Sequence, residues 1–185
     1  MSGDLVLRYY RGLADLPHDR AGALLELQAC FREGASPADL SGTTSGRLLT
    51  TTIGWGLDAI AMGLARLWMP WKGKAFDPEA KEGRNLLSDG AALAMRTLWP
   101  SYDDRRPERP GRFSSFPFST WEGRSRLTPG PEQVLMIDYS RPDSPWLVRD
   151  VVDELVRIGD DLYLGQALLR WRGEPRRIAW FELRA

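Results

Sequence analysis

At 185 residues the chain is long enough for one well-buried core and short for two. Hydrophobic residues make up 43% and charged residues 27%, which excludes a disordered chain. Lys plus Arg (25) balances Asp plus Glu (25), so no net field draws the protein toward nucleic acid or an anionic membrane.

From Met1 to Arg11 the chain carries Asp4 and two arginines without a long apolar run, so it does not read as a signal peptide, and a cytosolic protein is the default expectation. Asp15-Leu16-Pro17 opens a helix in which Leu24, Leu27 and Phe31 form an apolar stripe, ended by Gly34. Cys30 lies in that stripe as a small core residue. As the single cysteine it excludes an internal disulfide and a Cys-based metal cluster. His18, also single, excludes multi-His metal sites and fits a surface or capping role better than a Ser-His-Asp triad. No metal and no cofactor is expected.

Gly42-Thr43-Thr44-Ser45-Gly46 leads into a β-rich run from Arg47 to Ile53. A helix is predicted from Leu57 to Met69, stopped by Pro70; the surrounding apolar stretch contains Asp58 and Arg66 and falls short of the roughly 20 apolar residues of a membrane span. Trp71 to Phe76 reads as a strand, Arg84 to Leu87 as its return, Asp89 to Leu98 as a helix and Tyr102 to Arg112 as an exposed loop. The period then changes to two. Phe113–Trp121, Glu132–Tyr139, Asp150–Ile158, Asp161–Trp171 and Arg176–Arg184 are candidate strands, separated by Gly-, Pro- and Asp-rich turns such as Gly159-Asp160 and Gly173-Glu174-Pro175. Short links imply an antiparallel meander that covers a helix or closes toward a barrel. The expected fold is α+β: a barrel-like antiparallel sheet with an N-terminal helix and one or two inserted helices. It forms one domain over 1–185, with a helical lead-in to about 36 and the sheet from about 42.

Alternation splits each strand into two faces. Glu154 shares a face with Val152, Val156 and Ile158, opposite Val151, Asp153, Leu155 and Arg157. An interior carboxylate there needs a cation or a donor and is a candidate ligand contact or general base. An internal pair with an arginine, or a place at the rim, are the alternatives. Tyr163, Gly165 and Ala167 share a face whose missing volume a helix or a ligand would fill. Phe116 and Phe118 share another face, and Phe181 belongs to the last strand. Asp138 and Tyr139 end a strand where polar groups enter a cavity mouth, although Asp138 also suits a turn. Lys72 and Lys74, read as one face beside Trp71 and Phe76, would hold an anionic head while aromatic rings cover an apolar body; a solvated strand face is the alternative.

The residues Gly42-Thr43-Thr44-Ser45-Gly46, Leu57-Asp58 and Trp71-Lys72-Gly73-Lys74-Ala75-Phe76-Asp77-Pro78-Glu79 resemble the bacterial GXWXG-motif family. Met136-Ile137-Asp138-Tyr139, Val152-Asp153-Glu154-Leu155, Asp160 to Gly165 and Trp180 to Arg184 are similar to that family's companion C-terminal domain of unknown function. Thr44 stands where the signature tryptophan belongs. The resemblance implies a lipocalin-like barrel and carries no catalytic residues.

Three readings follow. The chain binds a small hydrophobic or amphipathic molecule in a barrel cavity. Alternatively, it is a cofactor-independent isomerase or cyclase, with Glu154 or Asp138 as base and Tyr139 or Tyr163 as donor. The third reading is a structural or partner-binding protein whose interior the helix at 57–69 fills. A cavity of about 300 Å³ or more favours a ligand, and a volume near zero favours the third.

Overall fold

A computed structural model describes residues 3–52 and 70–185. The helix expected at 57–69 lies outside the described residues. Two helices come first: α1 (Gly3–Asp15) and α2 (Arg20–Glu33), the latter capped by Asp19, whose carboxylate accepts the Gly22 N–H at 2.9 Å. Where one N-terminal helix was expected there are two, and Leu16-Pro17-His18 forms the turn between them.

The sheet runs β1 (Gly42–Thr51), β2 (Trp71–Asp77), β3 (Glu82–Ser88), β4 (Arg106–Arg109), β5 (Arg112–Gly123), β6 (Val134–Asp138), β7 (Val151–Arg157), β8 (Leu162–Trp171) and β9 (Glu174–Arg184). Among the described residues two further helices, α3 (Gly90–Leu98) and α4 (Trp146–Arg149), interrupt it. The segment read as a loop from Tyr102 contains the short edge strand β4, whose residues are all exposed. Every pairing is antiparallel, β9 pairs back to β1 and β3 to β5, so eight strands close into a barrel with β4 outside the ring on β5. Closure leaves no open edge between the eight ring strands, and eight strands give an interior that side chains nearly fill. Arg172 (φ 54) and Gly173 (φ 87) make the tight β8–β9 turn, so Glu174 and Pro175 belong to the strand rather than to the turn.

Two apolar cores result. The barrel interior holds Leu87, Phe113, Phe116, Phe118, Tyr139, Val151, Leu155 and Phe181, closed by Met95 of α3, by Trp99 at its C-terminal end and by Leu147 and Val148 of α4. The outer face of β6 to β9 carries Val134, Met136, Val152, Val156, Leu164 and Trp180, and α1 and α2 cover it with Leu5, Tyr9, Leu27, Cys30 and Phe31. Phe31 meets the Trp180 ring edge-on at 5.6 Å. The strands β6 to β8 are therefore buried on both faces along most of their length.

Candidate functional site

A cavity of about 50 Å³ opens inside the barrel. Its apolar wall is made by Leu48, Trp71, Leu87, Phe116, Val148, Val151, Ala167, Ala179 and Phe181, and its polar wall by Lys74, Asn85, Tyr139 and Asp153. Ala167 and Ala179 face each other across the β8–β9 ladder, and their small side chains leave the space.

The volume is well below 300 Å³, and specific side chains account for the difference. The gap expected at Gly165 is occupied by Phe181: a Cβ at Gly165 would lie 2.1 Å from Phe181 Cζ. A bulge in β5 between the pairs Arg84–Pro117 and Asn85–Ser115 holds Phe116 at φ 50 and adds its ring to the interior, stacked on Tyr102 at 5.2 Å. At about 10–15 Å³ for one water-sized sphere, the remaining space suits an occupant of a few heavy atoms.

The polar wall is a single hydrogen-bonded cluster. Lys74 is 2% exposed. Its Nζ donates to Asp153 Oδ2 at 2.8 Å, to Asn85 Oδ1 at 2.9 Å and to the Tyr139 hydroxyl. Tyr139 Oη donates to Asp153 Oδ2 at 2.9 Å, and Trp71 Nε1 donates to Asn85 Oδ1 at 3.1 Å. Asn85 Nδ2 is anchored on the Phe116 carbonyl at 3.3 Å. The rings of Tyr139, Phe118, Trp71 and Phe181 surround Nζ with centroids 5.1, 5.3, 5.4 and 5.5 Å away. Desolvation in this setting lowers the Lys74 pKa, with the Asp153 charge opposing, and burial together with the same charge raises that of Tyr139. The ammonium and the carboxylate cancel, so the cluster is electrically neutral while offering donors and acceptors beside the cavity.

A bulge sets this geometry. Gly73 has φ 140, and a Cβ there would sit 2.0 Å from the Thr44 carbonyl oxygen, so glycine is required. The register shift between Trp71 and Gly73 makes Lys72 the extra residue, turned out to solvent, while Trp71 and Lys74 both face inward. The expected pair of lysines on one face is corrected accordingly: Lys72 is exposed and Lys74 is neutralised by Asp153.

Glu154 is a second correction. It is fully buried, but on the outer face of β7 against the Ser125–Arg126 segment, and it does not line the cavity. Its oxygens accept from Ser125 Oγ (2.6 Å), the Arg126 backbone N–H (2.6 Å) and Gln166 Nε2 (2.7 Å). Gln166 Oε1 in turn accepts from Arg177 Nε at 2.6 Å, and the Arg177 guanidinium lies 4.4 Å from the Trp180 ring. The counter-cation is thus reached through a glutamine. Asp138 takes the turn role that the sequence offered beside the cavity one: its Oδ1 accepts the Ser140 N–H at 2.8 Å.

Of the other candidates, Trp71, Lys74, Phe116, Tyr139 and Phe181 line the cavity. Phe118 and Tyr163 are interior without bordering the free space, and Gly165 lies beneath Phe181. Asp153, Asn85 and Val148 were not singled out from the sequence. Asp153 was legible as a carboxylate in an apolar strand, but nothing in the alternation distinguished its face from that of Glu154. Asn85, in the return strand Arg84 to Leu87, carried no signal.

Among the described residues no group of three or more His, Cys, Asp or Glu side chains is placed to hold a metal, and no helix is long and apolar enough to cross a membrane.

A closed antiparallel barrel with helices on one outer face and a small interior cavity defines a lipocalin-like α+β barrel. A crystal structure of a protein from Thermomonospora curvata shares this fold, with a TM-score of 0.50 over 96% of this chain and 97% of that chain, at 20% identity. Likeness at that identity is one of fold alone. No family model and no curated protein matches the chain.

Proposed function

We propose that the protein binds a small, neutral, largely apolar molecule carrying one hydrogen-bonding oxygen, seated in the barrel cavity against the Lys74–Asp153–Tyr139–Asn85 cluster. The observation that carries this reading is a charge-neutral polar cluster beside a cavity whose other walls are apolar. The anionic ligand expected from two lysines is disfavoured, because an added charge would be buried beside an ion pair that is already balanced.

Four heavy atoms contribute at most roughly 6 kcal/mol, so propan-1-ol binds no tighter than some tens of micromolar. Titration of propan-1-ol should move the Trp71 indole N–H resonance in ¹H–¹⁵N spectra, whereas propanoate and propylammonium should not. Ala179→Leu, which fills the free space, should abolish the shift while the fold persists. Stronger binding of either ion, or no response to the alcohol, refutes the reading.

An acid–base enzyme is the second reading, favoured by the 2.9 Å contact between Tyr139 Oη and Asp153 Oδ2 at the cavity wall. Its base would be Asp153, since Glu154 and Asp138 lie elsewhere. Kinship with the GXWXG-motif family is part of the proposal as well. It is supported by the direct pairing of Thr44, at the signature position, with Lys74 of the Trp-x-Gly-Lys-x-Phe strand.

A further inference from the structure

We infer that Lys74 is an imine-forming amine, and that the ligands it takes are small apolar aldehydes or ketones held covalently in the cavity. The inference rests on the binding reading above and narrows it to a chemical class.

The first observation is the choice of residue. The chain has three lysines, Lys72, Lys74 and Lys81, against a much larger number of arginines. Lys72 and Lys81 are exposed, and Lys74 is the one inside the barrel. An arginine would serve a permanent buried ion pair better, since its guanidinium is more weakly hydrated; it cannot become a nucleophile, whereas a desolvated lysine amine can. The second observation is the company it keeps. Lys74 lines the cavity, and its Nζ has a carboxylate at 2.8 Å to take its proton and a phenol in hydrogen-bond contact to serve the carbonyl oxygen. Within the cavity, a carbonyl that accepts from Tyr139 Oη has its carbon brought beside Nζ.

The steps balance with these groups alone. Lys74 passes one proton to Asp153 Oδ2, leaving a neutral amine and a neutral carboxyl. The amine lone pair attacks the carbonyl carbon, and the C=O π pair moves to oxygen, which takes the Tyr139 proton. The new ammonium returns a proton to the Tyr139 phenolate, giving a neutral carbinolamine. Asp153 then protonates the hydroxyl, the C–O bond breaks with loss of water, and the nitrogen lone pair forms C=N. The product is a protonated imine beside the Asp153 carboxylate. The cavity starts and ends with one cation and one anion, so no net charge is created in the interior, which is the costly event for chemistry in a low-dielectric site.

The test is reductive trapping. The protein is incubated with propanal and cyanoborohydride near neutral pH and the propylated sites are mapped by mass spectrometry. Lys74 should be propylated at least about tenfold faster than exposed Lys72 and Lys81, as bound, aligned reactants require. Propan-1-ol should compete. The Lys72→Arg/Lys81→Arg variant, which leaves the interior intact, should retain the full Lys74 rate. Propylation confined to the surface lysines and the N-terminus, while propan-1-ol still shifts the Trp71 indole signal, overturns imine formation and leaves binding standing. Absence of both the alcohol shift and Lys74 labelling overturns both readings together.

Discussion

The Lys74–Asp153 pair offers a stability experiment whose outcome the geometry fixes in sign and scale. Both side chains are almost wholly buried, with side-chain exposures of 3% and 7%, and their closest atoms are 2.8 Å apart. Lys74→Met leaves the Asp153 carboxylate in the barrel with the Tyr139 hydroxyl as its remaining donor from the cluster, and should cost about 3–5 kcal/mol. Asp153→Leu leaves the ammonium without its counter-charge and should cost a similar amount, moderated where the amine gives up its proton. The double variant Lys74→Met/Asp153→Leu removes both charges, and the neighbouring cavity accommodates the added carbon. It should unfold within about 2 kcal/mol of the parent, giving a coupling of roughly 4–10 kcal/mol. Urea denaturation followed by tryptophan fluorescence measures all four corners of the cycle, with a constant m-value as the check on two-state behaviour. The coupling should also persist at high salt, unlike that of the exposed Arg124–Glu132 pair. Single variants that each cost less than about 1 kcal/mol, or a double variant as unstable as the sum of the singles, would refute the argument.

The other consequences are more local. Glu154→Gln sets an amide against three donors and should lose about 2–4 kcal/mol in urea unfolding while leaving the propan-1-ol response of Trp71 unchanged; a lost response would return Glu154 to the ligand site. Gly165→Ala drives a methyl into the Phe181 ring and should cost about 1–3 kcal/mol, with weaker alcohol binding as Phe181 is displaced toward the cavity. Burial raises the Cys30 thiol from 9.0 to about 11. The folded state therefore keeps that proton where the unfolded chain has lost it, and the associated stability, complete below pH 9, declines as pH rises toward 11 by roughly 2–3 kcal/mol. The difference between the parent and Cys30→Ala in urea midpoints across pH 8–11 isolates this effect, and a flat difference would contradict it.

The cavity shows how far local pattern reaches. Trp71, Lys74, Phe116, Tyr139 and Phe181 stood out because aromatic and ionisable residues within apolar strands are uncommon enough to notice. Asp153 and Glu154 are adjacent in one strand, and alternation put them on opposite faces without saying which face was interior. That ambiguity is physical: α1 and α2 cover the outside of β7, so Val152 and Val156 are as buried as Val151 and Leu155. Lys72 was misplaced for a different reason. A period of two assumes an unbroken ladder, and the bulge before Gly73 shifts the phase by one residue.

By itself the sequence determined the strands from β5 onward, their antiparallel order, the helix α2 and the absence of a disulfide, since these follow from periodicity, turn residues and composition. Tertiary structure decided that the sheet closes, which of two equally apolar faces lines the barrel, and how much space Phe181 and Phe116 leave there. Those outcomes depend on packing between strands far apart in the chain, where one bulge or one missing Cβ redirects a side chain by several ångströms, and no local pattern encodes that distance.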